Sequence, residues 1–244
     1  MTEHTEERIC TKHGKYSAHI SEIMGKTFET GCPECEKETD AQNRTDETKQ
    51  AQEELIKRYK AMNIEREFYD ATFENYIAET QNEKHALSTM QKIVAERKGK
   101  IILLGRNGSG KSHLMAVAVK TLGGYMYSMY EISTMIRQSY TTVAKESELD
   151  IVNRLASCSM LAIDEIGRTK GGEAEQNWLS YIIDKRHVRG LPLAMASNKL
   201  PRRLITDVSK DVPFESYIDS DILSRFQQDT EIITLIDSRD HRRM

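Results

Sequence analysis

The chain has 244 residues, with 35 Lys and Arg against 38 Asp and Glu, a formal net charge of −3 and 30% charged side chains. That length suffices for one sizeable domain and a small one. No overall basic excess advertises nucleic acid, no apolar run approaches the roughly 18 to 20 residues that span a membrane, and the polar, acidic start Met1–Glu7 is unlike a secretory leader. A cytoplasmic location, where disulfides are disfavoured, is expected.

Cysteines cluster early. Cys10 and His13 form a C-x2-H pair, and Cys32 and Cys35 a C-x2-C pair with Pro33 between them. This spacing suits a knuckle or ribbon around one tetrahedral Zn²⁺. His4 and His19 are weaker candidates for the fourth ligand, since neither stands two residues from a cysteine. So short a segment buries little core, and a metal would stabilise it. Cys158 stands alone beside an apolar strand and reads as a buried small residue.

Residues 36–54, from Glu36 to Glu54, carry no large apolar side chain, so they read as a linker or a solvated helix. A helical stretch is expected from near Glu53, with Leu55, Ile56, Tyr59 and Met62 on one face. Phe68, Phe73 and Tyr76 follow, either near a bound base or in the core. Leu87, Met90, Ile93 and Val94 mark an amphipathic helix. The expected division is 1–40 as a metal module, 41–84 as linker and helix, and 85–244 as the main domain.

Ile101–Leu104 is an apolar stretch of strand length. Gly105-Arg106-Asn107-Gly108-Ser109-Gly110-Lys111-Ser112 follows, matching G-x-x-x-x-G-K-[ST], and His113–Val119 begins a helix. Strand, glycine loop and helix make a phosphate site. Glycines let backbone N–H groups converge on phosphate oxygens, the helix N-terminus favours anions, Lys111 reaches the β- and γ-phosphates, and Ser112 offers a hydroxyl to Mg²⁺. The expected nucleotide contacts are Gly105, Asn107, Gly108, Ser109, Gly110, Lys111, Ser112, His113 and, through the ion, Asp164.

Tyr125–Ser128 reads as a second strand, and Glu131–Tyr140 and Glu148–Ala156 as helices. Ser159–Glu165 is an apolar strand ending in two acids. Asp164 can join Ser112 in holding Mg²⁺, and Glu165 can activate a water. Trp178–His187 reads as a helix with Leu179, Ile182 and Ile183 inward. Leu191–Asn198 is a strand whose Asn198 can reach the attacking water. Asp221–Phe226 reads as a short helix with Arg225 outward, and Glu231–Ile236 as a closing strand. Arg168, Lys170, Arg186 and Arg189 either touch a DNA backbone or are ordinary solvated charge.

This ordered set resembles the AAA+ ATPases, and within them the DnaC/DnaI group of bacterial and phage helicase loaders. Gly110–Leu114 is similar to that group's G-K-[ST]-H-L, and Asp164–Gly167 to its D-[DE]-[LI]-G. Ser197-Asn198 and Ser224-Arg225 match its sensor-1 and arginine-finger segments. The resemblance covers residues 85–236, and more loosely 1–84. It implies an α/β fold, with helices on both faces of a parallel sheet, and a catalytic set of Lys111, Asp164, Glu165, Asn198 and Arg225. It also implies ATP with Mg²⁺, self-association through the ATPase domain, a DnaB-type replicative helicase and single-stranded DNA as partners, and no membrane. Two departures stand out: only Arg239 remains to compare with a sensor-2 arginine, and Asp-Glu replaces the Asp-Asp of many relatives. The runner-up is an IstB-like transposition helper ATPase acting with a transposase. A small-molecule kinase would have no use for Arg225, and a zinc-containing DNA-binding regulator would need a basic recognition helix that the N-terminus lacks.

Overall fold

In a computed structural model, residues 2–23, 26–168, 172–205, 211–218, 224 and 230–236 are described. The chain forms two compact units, Met1–Lys57 and Arg58–Met244.

The first unit begins with an antiparallel sheet of β1 (Thr2–Cys10), β2 (Gly14–Ile23) and β3 (Lys26–Glu29), in that order. Its strands were not anticipated, because most of their side chains are exposed and leave no period-2 apolar pattern. Cys10 pairs with Gly14, so the C-x2-H pair is the turn of the first hairpin. Gly14 has φ 79°, the left-handed region that glycine enters without Cβ strain. Helix α1 (Pro33–Ala61) then runs 29 residues with none of them buried. It begins twenty residues ahead of the expected start. Proline at its first position, Glu34 and Glu36 in the first turn, and Arg58 and Lys60 in the last complement its dipole. The solvated-helix alternative therefore holds for 36–54.

The second unit is a parallel sheet of five strands: β4 (Lys100–Gly105), β5 (Gly124–Ser128), β6 (Met160–Asp164), β7 (Leu193–Ser197) and β8 (Thr230–Leu235). They lie in the order β5-β6-β7-β4-β8. Alternate residues of β4 face opposite layers. Ile102 and Leu104 join α4 (Met129–Ser139), α5 (Glu148–Ser157) and α6 (Glu173–Val188) on one side. Ile101 and Leu103 join α2 (Gln81–Glu96) and α3 (Lys111–Leu122) on the other. The strand is buried throughout, which is why it reads as an unbroken apolar run. Ser, Thr and acid side chains close capping boxes at the starts of α2, α4 and α5. At the β5 edge the Met126 amide bonds the Met62 carbonyl at 3.0 Å, and Asn63, at φ 58°, bonds the Met126 carbonyl at 2.9 Å. That segment covers an edge that would otherwise invite pairing.

Arg186 corrects an expectation. It is neither a DNA contact nor solvated: it is 0% exposed, on the inward stripe of α6 with Leu179, Ile182 and Ile183. Its guanidinium donates to the carbonyls of Leu155 (2.8 Å), Cys158 (2.9 Å) and Pro192 (2.5 Å), closing the turns that lead into β6 and β7. Cys158 is half-buried, its Sγ 3.3 Å from the same guanidinium. Arg186→Met should lower stability by about 3 kcal/mol or more, since each orphaned buried carbonyl costs about 1–3 kcal/mol. Urea unfolding checks this, and a wild-type midpoint would refute it.

Candidate functional site

Because the strands are parallel, β4, β6 and β7 deliver their carboxyl ends to one edge of the sheet, where open α/β folds bind ligands. Leu104 is in register with Ser197, and Ile163 with Met195, so Gly105, Asp164 and Asn198 arrive together. A cavity of about 410 Å³ lies at this edge. Its lining includes Asn107, Gly108, Ser109, Gly110, Lys111, Ser112 and His113 from the loop and α3, with Asp164, Glu165 and Asn198. The structure thus brings together every described residue of the expected ATP site except Gly105, which starts the loop outside the lining.

Gly105 and Gly110 are required by contact as well as by dihedral. A Cβ on Gly105 would lie 2.5 Å from the Leu235 carbonyl oxygen, and one on Gly110, at φ 81°, 2.6 Å from the Tyr76 ring. Lys111, 7% exposed, donates to the carbonyls of Gly105 (2.9 Å) and Arg106 (2.8 Å) and to Ser109 Oγ (3.1 Å). Those contacts hold its charge inside the loop. Ser112 Oγ donates to Asp164 Oδ2 at 2.5 Å, and Asp164 Oδ1 accepts the Glu165 amide at 2.7 Å. A hydroxyl and a carboxylate oxygen so placed suit a hard divalent cation.

Glu165 sits at φ 56°, an uncommon conformation for a side chain with a Cβ, and such outliers cluster at working sites. Its carboxylate accepts Arg168 Nη1 at 2.6 Å. Arg168, expected on DNA or in solvent, is exposed and paired with the acidic strand end. Arg189 is exposed, and Lys170 lies outside the described residues. Burial, with the carboxylates of Glu67, Glu131, Asp164 and Glu165, pushes the Glu65 carboxyl above its usual range.

Ser197 is a tie between strands. It is buried, its hydroxyl donates to the Ile166 carbonyl and accepts the Lys199 amide at 3.1 Å, and the Ile166 amide bonds Ala196 at 2.9 Å. These bonds fix the ends of β6 and β7 and leave Asn198 in the cavity wall. Of the three aromatics, Phe68 and Tyr76 line the cavity, whereas Phe73 packs against the α2–α3 core layer. Arg225 and Arg239 lie outside the described residues.

The second site is in the first unit. Cys10, His13, Cys32 and Cys35 bring their ligand atoms within 4.8 Å of one another. Cys10 Sγ is 3.5 Å from Cys35 Sγ, and the three sulfurs lie 3.8, 3.7 and 3.4 Å from His13 Nδ1. A tetrahedral ion with bonds of about 2.3 Å to sulfur and 2.0 Å to nitrogen spaces its ligands by roughly 3.5–3.8 Å, so the set fits. The amides of Lys12 and His13 stabilise the Cys10 thiolate and hold its pKa down to about 6, while Cys10 beside it pushes Cys35 up to about 11. His13 Nε2 donates to Glu38 Oε1 at 3.2 Å, and Lys12 also pairs with Glu38. A carboxylate behind a metal-binding histidine fixes its tautomer. Glu38 had not been anticipated, although its place one helical turn past Cys35 is the signal that could have found it. His4 bonds Glu6, and neither His4 nor His19 belongs to the cluster.

Sheet order, loop and acidic strand define a P-loop ATP-binding core of the AAA+ kind. The chain belongs to the IstB-like ATP binding protein family, which its residues 38–201 match. It is similar to the replicative helicase loader DnaC of Escherichia coli (strain K12): 28% identical over 137 residues, 53% of this chain and 56% of that one. The match therefore spans little more than half the relative's length. Among solved structures it is similar to DnaI (TM-score 0.54, 16% identity, 71% of this chain and 95% of that one). It is also similar to the DnaC helicase loader (TM-score 0.53, 16% identity, 70% and 99%). At such identity these two likenesses concern the fold. Among the described residues no helix is long and apolar enough to cross a membrane.

Proposed function

We propose that the chain is an ATP-hydrolysing loader that places a DnaB-type replicative hexameric helicase on single-stranded DNA. The observation that carries this reading is the similarity to DnaC, 28% identical over 137 residues, in a chain that gathers Lys111, Asp164, Glu165 and Asn198 at one cavity.

In this reading the phosphates of ATP lie on the loop amides and Lys111, with Ser112 and Asp164 holding Mg²⁺. Glu165 takes a proton from the attacking water, and Asn198 orients it. Arg225 acts across a contact between copies of the chain. Cys10, His13, Cys32 and Cys35 hold Zn²⁺, and residues 1–40 dock on the helicase, with 41–84 leading to an ATPase domain at 85–244. The metal ions supply charge and cross-linking respectively, and the chain's own side chains do the positioning.

A second reading, a helper ATPase acting with a transposase on duplex DNA, is favoured by the family's IstB-like description. The Cys/His cluster at the N-terminus favours the loader. Tagged full-length protein, incubated with bacterial lysate and ATP, should retain a hexameric replicative helicase. Purified partner and protein should then transfer the helicase to a single-stranded DNA circle. Retention of a transposase instead supports the second reading, and retention of neither refutes both.

A further inference from the structure

Helix α3 has a lysine at each end. Lys111 serves the phosphate loop, whereas Lys120 turns to a different segment. Lys120 Nζ donates to the carbonyls of Phe68 (2.8 Å), Tyr69 (2.9 Å) and Ala71 (2.5 Å). An ammonium has three N–H donors and no acceptor, so three carbonyls satisfy it completely. It also lies 5.2 Å from the centre of the Tyr59 ring, a cation–π contact. Near the start of the same helix, His113 Nε2 donates to the Thr72 carbonyl at 2.8 Å, and its ring meets that of Tyr76 edge-on at 5.3 Å. One helix thus grips the chain from Phe68 to Tyr76 at both ends.

That segment has little regular structure of its own beyond the short turn Arg66–Phe68. Yet Glu67, Phe68, Asn75, Tyr76 and Ile77 line the cavity beside the loop. If a nucleotide's phosphates occupy the loop, this wall is what remains for base and sugar. We propose that Lys120 is a positioning residue for the nucleoside half of the ligand, holding the 66–77 wall at a fixed distance from the phosphate loop. The inference rests on the ATP reading above. It separates two energetic parts of one site: phosphate affinity from the loop, and nucleoside affinity from a wall held by a lysine outside the cavity lining.

The test compares MgATP with magnesium tripolyphosphate, which offers the phosphates without base or sugar. In full-length Lys120→Met, ATP affinity measured by calorimetry should fall on the order of tenfold, while tripolyphosphate affinity stays within about twofold. In the wild type, amide exchange across 66–77 should slow with ATP and not with tripolyphosphate. This second measurement holds even if the variant fails to fold. Unchanged ATP affinity, or an equal loss for both ligands, overturns the proposal, the latter because it marks general support of the site. Equal protection by both ligands overturns it as well. A wild type that binds tripolyphosphate but not ATP overturns this inference and the ATP reading together, whereas each of the three failures above leaves the ATP reading standing.

Discussion

Glu165→Gln should bind MgATP as tightly as the wild type and hydrolyse it at least about 100-fold more slowly, the lower end of what a positioned general base contributes. The substitution keeps shape and hydrogen bonding but removes the ability to take a proton. It spares the parts that hold the nucleotide: Lys111 is anchored within the loop, and Ser112 is bonded to Asp164. Asp164 is poorly placed to substitute as base, because one oxygen already accepts from Ser112 and the other from the Glu165 amide. The Arg168–Glu165 pair does not block the role, since both partners are well exposed and such pairs contribute at most about 1 kcal/mol. Calorimetric ATP affinity and the rate of phosphate release, measured on the same preparations, check the result. Equal release rates would remove Glu165 from the mechanism, and a parallel loss of affinity would make it a binding residue instead.

The ATP-binding core was legible because its signals are local. The loop needs glycines at fixed offsets, β4 is buried on both faces, and β6 ends in acids at the one sheet edge where carboxylates stay near solvent. The Cys/His cluster was legible for the same reason, as two short pairs of residues. Other features depend on contacts between distant residues. Lys120 reaches residues about fifty positions earlier. Arg186 continues the 179, 182, 183 spacing of an apolar stripe, but its charge argues for solvent until the three carbonyls that receive it are placed around it. Helix α1 has no apolar stripe because none of its residues is buried, so only its last turns looked helical. The strands of the first unit are mostly exposed, and hydrophobic alternation has nothing there to report.

Cys32→Ser should lose the bound metal and the fold of the first unit while leaving ATP affinity unchanged. Among the described residues of that unit, the buried apolar side chains are Ala18, Ile20 and Cys32. Fully burying a side chain such as isoleucine contributes about 1.5–3 kcal/mol, whereas fixing each residue's backbone costs about 1–2 kcal/mol. Such a core cannot order a three-stranded sheet, and α1 adds no buried residue to it. A structural zinc contributes about 10–16 kcal/mol in small zinc domains, and there binding and folding are the same event. The four residues would tie the first hairpin turn, at Cys10 and His13, to the start of α1, at Cys32 and Cys35, and the exposed pairs of Lys12 and His13 with Glu38 are weak beside such a link, so removing one sulfur opens it. The nucleotide cavity draws its lining from Glu67 to Asn198, all within the second unit, which is why ATP affinity should survive. Elemental analysis should find about one zinc per wild-type chain and none in the variant. Amide exchange should show residues 2–23 unprotected in the variant and protected in the wild type. Wild-type protein purified without chelator yet free of zinc would remove the zinc assignment, and a variant that keeps its protection would show that the sheet is held by something other than the metal.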